Sequence, residues 1–136
     1  MKEIFINKAK TCCITVHRNL RKDISLQKIK QTFLSLIEDG YDTFLVGMAL
    51  GFDTLCFQIL EGIRKEKDIK IIACIPCKTQ AYNFTEEQNL EYQRMLSSAN
   101  ESLLISENYS SYCMRKRNDF MVNNSMYSVK IKDLGK

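Results

Sequence analysis

The chain has 136 residues, 45% of them hydrophobic, and a formal net charge of +4. That is one domain's length with enough apolar side chains for a packed core, so disorder is not the default reading. Lys2, Lys8, Lys10, Arg18, Arg21, Lys22, Lys28 and Lys30 crowd the N-terminal part and residues 31–60 carry no Lys or Arg, a bias that suits an anionic ligand but lacks the dense basic stripe of a nucleic-acid surface.

No apolar run approaches the about 20 residues of a membrane span. Residues 1–8 are too short and too charged for a signal peptide. The expected location is therefore the cytoplasm. The six cysteines fit free thiols. Cys12, Cys13, Cys56 and Cys74 lie in apolar runs, where cysteine acts as a small hydrophobe. Cys12 and Cys13 are adjacent and point to opposite faces of a strand, a poor start for a disulfide framework.

In chain order, residues 11–16 (Thr-Cys-Cys-Ile-Thr-Val) read as a first strand. Ile29, Phe33, Leu36 and Ile37 share one face of a helix that stops at Asp39-Gly40. Residues 43–46 form the second strand. The run Val46-Gly47-Met48-Ala49-Leu50-Gly51-Phe52-Asp53-Thr54 then takes a glycine-bearing loop into a helix carrying Phe52, Leu55, Cys56, Ile59, Leu60 and Ile63. A buried strand feeding such a loop at a helix N-terminus is a phosphate cradle, because glycine admits close approach and the first-turn N–H groups face outward. A plain tight turn fits the same residues. Walker and full dinucleotide fingerprints are both absent from this stretch.

Residues 69–75 are the third strand, ended by Pro76. Thr85-Glu86-Glu87-Gln88 has the form of a capping box, opening a helix whose apolar face is read as Leu90, Met95 and Leu96. Residues 102–105 form a fourth strand, residues 112–122 a fourth helix and residues 126–131 a last short strand. Near-continuously apolar strands separated by helices specify a parallel sheet covered on both faces. The expected class is α/β, a three-layer Rossmann-like fold with a mainly parallel sheet of about five strands.

Ligands in such folds bind at the carboxyl ends of the strands. That rule selects His17 (the single histidine) and Arg18, then Gly47 to Thr54, then Pro76 and Cys77, then Glu107, Asn108 and Tyr109 leading into the Arg115-Lys116-Arg117-Asn118 segment. Arg18 suits a bidentate phosphate contact. Asp53 either complements the helix dipole or faces a sugar hydroxyl or water. Arg117 and Asn118 also fit a solvated helix face. Cys74-Ile75-Pro76-Cys77 has Cys-x-x-Cys spacing, but no second cysteine pair or histidine cluster completes a zinc site. No metal is expected.

Taken together, these segments resemble the YpsA-like branch of the SLOG superfamily, Rossmann-like domains that include the LOG phosphoribohydrolases and the DNA-processing protein DprA. The matching pieces are Cys13-Ile14-Thr15-Val16-His17-Arg18, the glycine loop through Thr54, Ile72 to Cys77, Ser106 to Tyr109, and Cys113 to Val122. The resemblance implies binding of a nucleotide or nucleotide-derived ligand, with weak or no catalysis and no other cofactor. The candidate ligand-binding set is His17, Arg18, Gly47, Gly51, Asp53, Thr54, Arg117 and Asn118. Alternatives are a LOG-type N-glycosidic hydrolase and a DprA-like single-stranded nucleic acid binder using Tyr82, Phe84, Tyr109 and Tyr112. Relatives usually carry glycine at Val16 and at Met48. They also continue into a Gly-Gly-Thr-type loop and final helix, whereas this chain reads as a single domain, 1–136, lacking both. Such a shortened copy is expected either to leave a sheet face for a second subunit, making a homodimer, or to be a naturally truncated and functionally decayed copy.

Overall fold

The computed structural model describes residues 5–15 and 25–129. Five strands form one sheet: β1 (Thr11–Ile14), β2 (Thr43–Val46), β3 (Lys70–Ile75), β4 (Glu101–Leu104) and β5 (Tyr127–Val129). Four helices connect them: α1 (Leu26–Glu38), α2 (Phe52–Arg64), α3 (Glu86–Ser98) and α4 (Cys113–Asn123). The strand order is β4-β3-β2-β1-β5, and every pairing is parallel. The fold class is the expected Rossmann-like α/β arrangement.

The order explains the layers. From β1 to β4 the chain steps outward in one direction, so right-handed crossovers place α1, α2 and α3 on the same face. From β4 the chain returns across the sheet to β5, which puts α4 on the opposite face. The two cores follow this division. Cys12, Ile14, Phe44, Val46 and Ile71 pack with Ile29, Phe33, Phe57, Leu60 and Met95. Cys13, Leu45, Ile72 and Cys74 pack with Met121 of α4. The adjacent cysteines thus point to opposite faces, as strand geometry requires. Phe33, Phe44 and Phe57 are fully buried, each worth about 1.5–3 kcal/mol of transfer free energy.

Over β1–β3 one face of the sheet is buried by α4 within the chain, with Cys13, Leu45, Ile72 and Cys74 at 2% exposure or less.

Local signals behave as their chemistry dictates. Gly40 takes φ +106 and ends α1, its N–H donating to the Ile37 carbonyl at 3.0 Å. Thr85 and Gln88 form the reciprocal capping box of α3. β1 closes at Ile14 rather than Val16, and Val16 lies outside the described residues. The expected apolar face of α3 needs correction. Tyr92 and Met95 are its buried residues and Leu96 packs beside them, while Leu90 is 67% exposed. Leu90 lies two positions from Tyr92, about 200° around a helix of 3.6 residues per turn, and so points away from the core.

This geometry separates two substitutions. Leu90→Glu is expected to change stability by less than about 0.5 kcal/mol, and Met95→Ala to cost about 2–5 kcal/mol. Urea unfolding of the two variants checks the assignment.

Candidate functional site

The crossover from β4 to β5 reverses the direction in which the chain moves across the sheet. The reversal falls between β1 and β5, and in folds of this kind ligands bind along the carboxyl edge of the sheet. The loop from Gly47 to Gly51 leaves β2 at this edge and enters α2. Gly51 is the N-cap of α2, at φ +91 and ψ −114, with no side-chain cap hydrogen bond. Leu55 N–H donates to the Gly51 carbonyl at 3.1 Å. The amides of Phe52, Asp53 and Thr54 therefore precede the first intrahelical bond, as the first turn of any helix requires.

Asp53 sits in that turn and is 4% exposed. Its Oδ2 accepts from the Ala49 N–H at 3.0 Å, tying the loop down from inside. Thr54 Oγ1 donates to the Ala49 carbonyl at 3.4 Å and supports the same loop. Asp53 Oδ1 is buried and has no hydrogen-bond partner among the described residues. Burial pushes the Asp53 carboxyl up to about 6, while the Ala49 N–H and the positive charge of Arg117 act in the opposite sense. A buried carboxylate with half of its acceptor capacity unused is costly. A carboxyl raised in this way by burial is a functional-site candidate.

Arg117 comes from α4, on the other side of the sheet, and is 6% exposed. Its Nη1 donates to the Gly47 carbonyl, and its Nε donates to Asn118 Oδ1 at 2.9 Å. A Cβ on residue 47 would meet the guanidinium carbon and Nη1 at 2.9 Å. A side chain at position 47 would therefore require the Arg117 guanidinium to move aside. Burial pulls the Arg117 guanidinium below its usual range, and Asp53, followed by Cys74, opposes that shift. Asp53 and Arg117 act on each other through their fields and make no direct ion pair.

A second layer of polar groups supports the loop. Gln80 Nε2 also donates to the Gly47 carbonyl, at 3.3 Å, and Tyr92 Oη donates to Gln80 Oε1 at 3.1 Å. Cys113, the first residue of α4, donates its thiol to Cys77 Sγ at 3.7 Å. Cys77 is therefore partnered with Cys113, not with Cys74 of the Cys-x-x-Cys spacing. Lys78 and Glu107 join the same two connections at 2.7 Å on the surface. Among the described residues no group of three or more His, Cys, Asp or Glu is placed to hold a metal ion.

The structure brings Gly47, Gly51, Asp53, Thr54 and Arg117 together at this edge. Asn118 is exposed and orients Arg117. His17 and Arg18 lie outside the described residues. The sequence reading missed Gln80, Tyr92 and Cys113. None carried a local signal, because each acts only through a partner distant in sequence. Of the aromatic residues considered for stacking, Phe84 packs edge-on against Tyr92 at 5.4 Å and is part of the core. Tyr82, Tyr109 and Tyr112 are exposed.

The sign of the Asp53 effect follows from its raised pKa. Between about pH 4 and pH 6 the folded chain holds a proton there that the unfolded chain has released, so this group lowers stability as pH rises through that window. Asp53→Asn keeps an acceptor for Ala49 and removes the slope. Relative to the variant, the parent is expected to lose about 2 kcal/mol between pH 4.5 and pH 7.5, read by urea unfolding at both pH values. Gly47→Ala, which displaces the guanidinium, is expected to cost about 1–3 kcal/mol.

Comparison with known proteins agrees with this architecture. The profile of the YspA SLOG family matches residues 9–135. The uncharacterized SPbeta prophage-derived protein YoqJ of Bacillus subtilis is 30% identical, over 82% of this chain and 76% of its own length. The UPF0398 protein lin2003 of Listeria innocua is 25% identical, over 81% of this chain and 62% of its own length.

Proposed function

This chain belongs to the YspA SLOG family, and from that membership together with the loop geometry we propose that it binds a nucleotide or nucleotide-derived ligand at the carboxyl edge of the sheet. The observation that carries the reading is the buried Asp53 carboxylate, half unsatisfied in the first turn of α2. In this reading the first-turn amides of α2 hold a phosphate. Asp53 Oδ1 accepts from a sugar hydroxyl, which supplies the donor it lacks. Arg117 balances the charge of Asp53 beneath the loop. Arg18 neutralises the phosphate, as the sequence leads one to expect. The function is read as binding; turnover is a separate question, answered by assaying base release from whichever ligand binds.

The test is thermal stabilisation by AMP, ADP-ribose, NAD and cyclic nucleotides. A ligand that binds only the folded chain at 100 times its Kd adds about 2.7 kcal/mol, a rise of several degrees for a domain of this size. The expected outcome is such a rise with at least one nucleotide, reduced in Asp53→Asn and in Arg18→Ala. No rise with any of them at millimolar concentration would contradict the reading. Binding that collapses as salt is raised and prefers oligonucleotides would point instead to a nucleic-acid surface.

A further inference from the structure

A cavity of about 200 Å³ lies between α2 and α3, beside the glycine loop. Its lining residues Met48, Leu50 and Thr54 belong to the loop and the first turn of α2, and Glu87, Gln88, Glu91, Tyr92 and Met95 belong to α3. Cavity and candidate site thus share the segment 48–54. The volume is below the about 300–1,000 Å³ of a whole small-molecule site, so it suits one part of a ligand.

The inner wall is apolar. Met48 and Met95 are each 2% exposed, and Tyr92 is 6% exposed. Met48 takes φ +66, the one non-glycine positive φ among the described residues. An ordinary side chain in that conformation costs about 1–2 kcal/mol. The cost places a flexible thioether, suited to packing against flat rings, on the wall of this cavity.

The polar groups give the wall a sign. Glu91 is committed: it accepts from Arg94 and from Gln58. Gln88 Oε1 is taken up by the Thr85 N–H in the capping box. Glu87 is exposed and free of such bonds among the described residues, and an ionised carboxylate only accepts. Glu86 and Glu87 in the first turn of α3 also disfavour a phosphate at this end. The phosphate end of a nucleotide is thereby left to α2, and the opposite end to this cavity.

We propose that the cavity between α2 and α3 is a nucleobase subsite selective for bases that carry an exocyclic amino group, with Met48 and Tyr92 against the ring and Glu87 accepting from the amino group. The proposal rests on the nucleotide-binding reading above and deepens it.

In the matched pairs AMP with IMP and CMP with UMP, an amino group replaces a carbonyl and the adjacent ring nitrogen is an acceptor in AMP and CMP but carries a proton in IMP and UMP. Ribose 5-phosphate lacks the base altogether. Calorimetric Kd values for these five compounds are measured on the parent and on Glu87→Gln, a surface change that leaves the core intact. The expected result is a preference of at least about tenfold for AMP over IMP and for CMP over UMP, the size of one hydrogen bond to a charged acceptor. Glu87→Gln, which presents a donor as well, is expected to erase the preference. Met48→Ala is expected to weaken AMP more than ribose 5-phosphate. Equal binding of all four nucleotides and ribose 5-phosphate, with no response to Glu87→Gln, would overturn the base subsite and leave the nucleotide-binding reading standing. No binding of any of the five would overturn both.

Discussion

The arrangement at the carboxyl edge depends on one buried guanidinium. Arg117 crosses from α4 to the carbonyl of Gly47, on the loop that leaves β2. This contact couples α4 on one face to a loop that feeds α2 on the other. It crowds position 47, because a Cβ there would lie 2.9 Å from the guanidinium, which would have to move. It also supplies the field that keeps Asp53 from being driven up further by its burial. A buried charge is tolerated only when neighbouring groups hold it, and here Gly47, Asn118 and Asp53 share that task.

The sheet order makes such a contact possible. Three outward steps followed by a single return put α4 under the strands whose carboxyl ends carry the loop. The return also closes the face over β1–β3 with Met121 and Phe120. Covering the sheet and delivering Arg117 are two results of the same connection. A substitution at the α4–sheet contact therefore acts on the loop as well as on the core.

Much of this was legible in the sequence, because the relevant chemistry is local. Gly40 stops α1 through a left-handed backbone that only glycine adopts freely, and Thr85 with Gln88 caps α3 within four residues. The parallel sheet followed from near-continuous apolar strands. Leu90 misled because its hydrophobicity was read without the exact phase of the helix, which Tyr92 and Met95 set. Arg117 was legible as a candidate only through family resemblance. Its burial depends on Gly47, seventy positions away. The Cys77–Cys113 contact was hidden in the same way, behind a Cys-x-x-Cys spacing that drew attention to Cys74. Met48 is a further case: nothing in the sequence marks it for a left-handed backbone, and it takes φ +66, a conformation that glycine adopts more freely.

The account turns on the state of the Asp53 carboxyl, and the most direct measurement is its own titration. The side-chain carboxyl carbon of Asp53, followed by NMR across pH 3 to 8 with and without AMP, reports burial, charge balance and ligand contact in one signal. The account predicts a midpoint at about 6 in the free protein. With AMP present it predicts a lower midpoint, because a hydroxyl donating to Oδ1 favours the charged form. A midpoint in the ordinary aspartate range near 4, unmoved by AMP, would contradict it.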